Sequence, residues 1–142
     1  GRIAYRAIIT ALMESRKAGI LIVDDEPEVL RVLGLYLRRL GYEVRTERST
    51  AAIWKDAGQE AGNFSAAVLD ASLSGPDSQT LARKLLDANP TLTVIVASGY
   101  PVDMAALEST SPGRVLFLQK PFTPEMLAAA LRRMIGAQAE DV

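Results

Sequence analysis

Four short apolar runs in this chain end on residues that can do chemistry. Ile20-Leu21-Ile22-Val23 stops at Asp24-Asp25, Ala66-Ala67-Val68-Leu69 at Asp70, Leu92 to Ala97 at Ser98, and Val115 to Leu118 at Gln119-Lys120. Taken singly, each ending has a plain explanation. The acidic pair before Glu26-Pro27 can cap a helix, Asp70 can open a turn, Ser98 before Gly99 is an ordinary turn residue, and Lys120 can be a solvated strand end. Four runs that together deliver three carboxylates, a hydroxyl and an amine are harder to dismiss. Three carboxylates in one pocket repel, each pair by about 4 kcal/mol at 4 Å under an effective dielectric of about 20. A divalent cation relieves that repulsion, and an all-oxygen site that retains water suits Mg²⁺. A carboxylate can then act as a nucleophile and form an aspartyl-phosphate. The metal and Lys120 would supply positive charge, and Ser98 a hydroxyl, where the phosphoryl group is negative. Phosphoryl transfer asks for little more than such positioning and charge neutralisation.

Composition narrows the alternatives. The chain has neither Cys nor His, so disulfides, thiolate or imidazole catalysis and most transition-metal sites are excluded. Its net charge of −1 gives no bulk attraction to nucleic acid or anionic lipid. A 49% apolar share in 142 residues describes one folded domain with a full core. No run approaches the roughly 18–20 apolar residues of a membrane span. The apolar stretch Ala7 to Met13 ends at Glu14 without a cleavage site. A cytoplasmic protein is the resulting expectation.

Elements that would position these residues follow from periodicity. The apolar runs alternate with segments of helical period, the signature of repeated βα units and a parallel sheet. After Pro27, the residues Leu30, Leu33, Leu37 and Leu40 keep helical spacing until Gly41 stops the helix. Glu43 to Thr46 reads as a weaker, more exposed strand, and Thr50 to Ala61 as one short helix. Leu81, Leu85 and Leu86 mark a helix ended by Asn89-Pro90. A short helix is expected near Val102 to Leu107. Thr123-Pro124-Glu125 opens a last helix that carries Leu127, Leu131 and Ile135 and stops at Gly136. In a sheet wound this way the carboxyl ends of all strands share one edge, where ligands bind.

Residues 1–18 stand outside the alternation. Arg2, Arg6, Arg16 and Lys17 against Glu14 give this piece a net +3, and Tyr5, Ile8 and Leu12 lie at helical spacing. It reads as a helical extension or linker before a domain at 19–136, with 137–142 as a tail.

At this point the chain resembles the receiver domain of two-component response regulators. The matching stretches are Ile20 to Pro27, Val68-Leu69-Asp70, Val94 to Tyr100, and Phe117 to Phe122. The Ser-Gly-Tyr ending and the run from Phe117 to Glu125 look most like receivers of hybrid histidine kinases. The resemblance implies a flavodoxin-like doubly wound α/β fold, (βα)5, with strand order 2-1-3-4-5. It implies Asp70 as phosphoacceptor, Asp25 as a direct Mg²⁺ ligand, and Asp24 as a ligand mainly through water. It also implies the Ser72 backbone carbonyl in the metal shell, Ser98 as switch hydroxyl, Lys120 as phosphate-sensing amine, and a cis Lys120-Pro121 peptide. Phe117 falls at the switch aromatic position. The implied donor is a histidine kinase or histidine phosphotransfer protein. The face that changes would comprise the fourth helix, fifth strand and fifth helix of the repeat, a partner or homodimer surface. No nucleic acid or membrane partner is implied. Such a domain is not an enzyme beyond catalysing its own phosphorylation and dephosphorylation.

One departure stands out. Where the family usually carries Pro and Gly four and eight residues beyond the phosphoacceptor, this chain has Ser74 and Ser78. Metal affinity and phosphoryl lifetime are the properties this loop would alter. Two rivals follow. A receiver-like interaction module never phosphorylated in the cell would find its support in that loop. A haloacid-dehalogenase-like phosphatase would need an acid two residues after its nucleophile, where this chain has Ser72. No output domain is expected within 142 residues, so the receiver would be stand-alone or cut from a longer protein.

Overall fold

A computed structural model describes residues 1–15, 17–73 and 77–140. Five parallel strands form one sheet: β1 (Gly19–Val23), β2 (Glu43–Glu47), β3 (Ala66–Asp70), β4 (Thr93–Ser98) and β5 (Val115–Gln119). Their order is β2-β1-β3-β4-β5, the flavodoxin-like arrangement expected. Helix α1 (Arg2–Ser15) precedes the sheet. The connections carry α2 (Pro27–Arg39), α3 (Thr50–Trp54), α4 (Ala57–Glu60), α5 (Ser78–Ala88) and α6 (Ala105–Thr110), and α7 (Pro124–Glu140) ends the fold. The winding reverses between β1 and β3, so the crevice of a doubly wound sheet opens at their carboxyl ends.

Strand alternation divides the core in two. Ile20, Ile22, Ala66, Val68 and Ile95 face α2 and α7, meeting Leu30, Leu33, Leu37, Leu127 and Leu131. Leu21, Val23, Ala67, Leu69, Val94 and Val96 face the other layer, meeting Ile53, Leu81, Leu85 and Leu107. Strands β1, β3 and β4 are buried at every position, which is why they read as continuous apolar runs. Strand β2 is an edge and only half-buried, matching its weaker pattern. Burying a leucine such as Leu37, fully enclosed here, contributes about 1.5–3 kcal/mol.

Gly41 and Gly19 are among the glycines that geometry requires. Gly41 has φ of 101° and donates its N–H to the Arg38 carbonyl at 3.0 Å, closing α2. At Gly19 a Cβ would lie 2.2 Å from the Asn63 carbonyl oxygen, so only glycine lets the chain entering β3 pass this close to β1.

Three boundaries differ from the sequence expectation. The helix expected over Thr50 to Ala61 divides into α3, α4 and a 3₁₀ turn at Ala61–Asn63. The Asp56 N–H reaches back three residues to Ile53, and Gly58 and Gly62 weaken continuation. The helix expected at 102–107 begins only at Ala105, because Asp103 Oδ1 accepts the Ala105 N–H and Pro101 lacks a helical donor. The last helix continues through Gly136 to Glu140. One glycine costs a helix about 1 kcal/mol, and Ala137 to Glu140 are good helix formers. Ser74, Gly75 and Pro76 of the altered loop lie outside the described residues. No described helix is long and apolar enough to cross a membrane.

Candidate functional site

Strand register brings the chemistry to one edge. Val23 pairs with Leu69, so Asp24 and Asp25 emerge beside Asp70. Asp70 pairs with Ala97, and Ser98 with Gln119, which places Lys120 next on the same edge. The Lys120 N–H donates to the Ser98 carbonyl at 2.8 Å, so the strand pairing carries on through the residue that bears the amine. The Lys120-Pro121 peptide is cis.

Lys120 Nζ donates to Asp70 Oδ2 at 3.0 Å and to Asp24 Oδ2 at 3.1 Å. The two carboxylates are buried at 3% and 7% side-chain exposure, while Lys120 retains 26%. Asp24 Oδ1 accepts the Glu26 N–H at 2.9 Å, which fixes the acidic turn before α2. Asp25 is exposed, yet Asp24, Asp25 and Asp70 each offer a carboxylate oxygen, all within 4.8 Å of one another. Three hard oxygen donors with one side open to solvent are the donor set of a partly hydrated Mg²⁺. With all three ionised, one ammonium leaves negative charge in excess, and a divalent cation would offset it.

Burial works against ionisation of Asp70, but the Ser72 N–H, the Lys120 ammonium and the Ser72 hydroxyl outweigh it. Together they hold its carboxyl below the ordinary value. Burial likewise works against the charge of Lys120, and its bonds to Asp70 and Asp24 prevail, holding its pKa above the ordinary value. Both groups therefore stay ionised around neutral pH.

The other sequence candidates lie nearby in different roles. The Ser72 N–H and hydroxyl both donate to Asp70 Oδ1, at 3.0 and 2.8 Å. The family resemblance assigns Ser72 only its backbone carbonyl. The Asp-x-Ser spacing was the available signal, since Asp side chains commonly accept from the backbone two residues on. Ser98 is 7% exposed, and its Oγ accepts the Tyr100 N–H at 3.1 Å. Phe117, on β5, pairs with Val96 of β4 and is half-buried. Beside Lys120, a groove of about 610 Å³ is lined by Val29, Val32, Leu33, Pro121, Phe122 and Pro124, among others.

The sequence matches the response regulator receiver domain over residues 20–132. The chain belongs to this family. It is a CheY-like receiver domain of two-component signalling. It is 29% identical over 123 residues to the DNA-binding transcriptional regulator NtrC of Bradyrhizobium sp. (strain RP501 Parasponia), covering 87% of this chain and 25% of the relative. It is 30% identical to the response regulator protein TmoT of Ectopseudomonas mendocina, covering 84% of this chain and 54% of that one. The chain thus spans about a quarter to a half of the length of these relatives. Among solved structures, the receiver domain from the hybrid histidine kinase CckA is 30% identical with a TM-score of 0.69, covering 83% of this chain and 99% of that one. A CheY-like receiver from Methanospirillum hungatei JF-1 shares the fold at TM-score 0.75 and 22% identity, covering 89% and 100% of the two chains. The position two residues after Asp70 carries the Ser72 hydroxyl bound to Asp70, where a dehalogenase-like phosphatase would need an acid.

Proposed function

We propose that Asp70 accepts a phosphoryl group from the phosphohistidine of a histidine kinase or histidine phosphotransfer protein. Its carboxylate forms an O–P bond as the donor's N–P bond breaks. The observation that carries this reading is the Lys120 ammonium shared between Asp70 and Asp24 beside a third carboxylate. Asp25 directly, Asp24 mainly through water, Asp70 and the Ser72 backbone carbonyl would hold Mg²⁺, which supplies positive charge to the transferring oxygens. Lys120 stays charged and leaves Asp70 Oδ2 for a phosphoryl oxygen. Ser98 gives up the Tyr100 N–H and turns its hydroxyl toward the same group.

The phosphoryl group adds about −1.5 to −2 charges at the sheet edge. Movement of Ser98 opens space for Phe117, whose half-buried ring on the neighbouring strand supports this role. The face formed by α6, β5 and α7 then changes and offers a surface to a partner or a second copy. Residues 19–136 form the receiver unit, with 1–18 as a linker and 137–142 as a tail, in a cytoplasmic setting. The likeness to the CckA receiver supports a place in a hybrid kinase.

Acetyl phosphate with Mg²⁺, read by intact mass, tests the assignment. The wild-type chain gains one phosphoryl mass, and Asp70→Asn gains none. An adduct that persists in Asp70→Asn, or no adduct on wild type, would overturn it.

A further inference from the structure

Two side chains of α5 reach across to the backbone that follows Ser98. Gln79 Nε2 donates to the Asp103 carbonyl at 2.9 Å. Arg83 Nη2 donates to the Ala106 carbonyl at 3.2 Å. The two donors are four residues apart and share one helix face. Their acceptors lie in the irregular stretch after Tyr100 and in the first turn of α6. That helix has six residues and a single buried side chain, Leu107. One hydrogen bond to this helix and one to the stretch before it thus add to Leu107 in attaching the segment to the body.

We propose that Gln79 and Arg83 are positioning residues that hold the segment between Ser98 and α6 in its unmodified arrangement, and so set how readily Asp70 is phosphorylated. This rests on the phosphoacceptor reading above. The tethers belong to the unmodified state because Asp70 Oδ2 is still paired with Lys120, and the Ser98 hydroxyl still accepts the Tyr100 N–H. Moving Ser98 toward a phosphoryl group pulls on residues 99–106, and both tethers oppose that pull. The Arg83 guanidinium reaches the Ala106 carbonyl inside α6, so it ties the helix itself, whereas Gln79 ties the stretch before it. The segment is therefore held by two bonds that its movement would have to break.

A tether of this kind is worth about 2-fold to 10-fold in an equilibrium once exchange with water is counted. The test uses the full chain as wild type, Gln79→Ala, Arg83→Met (which keeps the aliphatic stem) and the double variant. Each is titrated with beryllofluoride at saturating Mg²⁺ and followed by ¹⁹F NMR, with amide exchange measured in the absence of beryllofluoride. The double variant should bind beryllofluoride about 5-fold or more tightly than wild type, exchange faster at 103–110, and melt only a few degrees lower, by about 3–6 °C. Gln79→Lys, which retains a donor of similar reach, should bind nearly as wild type does. Unchanged affinity in the double variant overturns the proposal even if exchange quickens, because the tethers would then not oppose the switch. Affinity that falls in step with the melting temperature would assign the two residues a structural role only. Wild type that does not bind beryllofluoride would instead sink the phosphoacceptor reading, and the proposal with it.

Discussion

Asp25 is the site residue whose charge is easiest to isolate, because it is exposed and accepts no hydrogen bond that would be lost with it among the bonds described. Asp25→Asn keeps its shape and removes one negative charge from a cluster whose carboxylate oxygens lie within 4.8 Å of one another. At that separation each like-charge pair costs about 0.9 kcal/mol in a water-like dielectric and about 3.5 kcal/mol at an effective dielectric of 20. The substitution relieves two pairs, with Asp24 and with Asp70. Exposure places Asp25 near the lower figure, and its side chain can swing into solvent, so a net gain of about 1 kcal/mol is the appropriate scale. For a chain of this length that raises the melting temperature by about 3 °C. The measurement is thermal unfolding in EDTA at low ionic strength, repeated at about 1 M salt, where screening should erase most of the gain. With Mg²⁺ the order reverses. Wild type should be stabilised by the metal through linkage, whereas Asp25→Asn would lack the carboxylate proposed as a direct ligand. Removing even an outer partner of a metal ligand lowers affinity about 10–100-fold, so its Mg²⁺ response should largely disappear. An unchanged or lower melting temperature in EDTA would refute the repulsion argument. An Mg²⁺ response equal to wild type would refute the assignment of Asp25 as a ligand.

Three further outcomes follow from the geometry. Ser98→Ala should still be labelled at Asp70, but beryllofluoride should change amide exchange across α6, β5 and α7 less than in wild type; an equal change would remove Ser98 from the switch. Asn89→Ala should destabilise the fold by about 1–3 kcal/mol, since the buried amide donates to both the Ala61 and Phe64 carbonyls, and only Ala61 keeps another described partner, the Phe64 N–H; urea unfolding checks this, and a loss under about 0.5 kcal/mol would contradict it. Trp54 emission should barely respond to saturating Mg²⁺. Its helix follows edge strand β2, two strands from β3, about 10 Å by strand spacing alone. The nearest described charge over its ring is Lys84 Nζ at 4.3 Å, so Lys84→Met should alter the emission where the metal does not.

Much of this protein is determined by local pattern. The central strands are buried on both faces, so their apolar runs and the polar residues that end them are visible in one dimension. The parallel alternation, the edge character of β2 and the turn at Gly41 are equally local, because each depends on side-chain periodicity or on one backbone conformation. Boundaries were less legible where several weak preferences compete. Gly136 reads as a stop, but one glycine cannot outweigh four good helix formers after it, and the broken helix at 50–63 reflects single hydrogen bonds that periodicity does not encode. The site divides along the same line. Asp24, Asp70, Ser98 and Lys120 stand out as strand ends, whereas only strand order and register put Lys120 within 3.1 Å of two carboxylates that lie 96 and 50 residues away in sequence. The second role of Ser72 on Asp70 needed a turn geometry, and the reach of Gln79 and Arg83 to the backbone after Tyr100 needed two helices packed side by side. These are contacts between distant elements, and their existence depends on how the layers stack, which no single stretch of sequence contains.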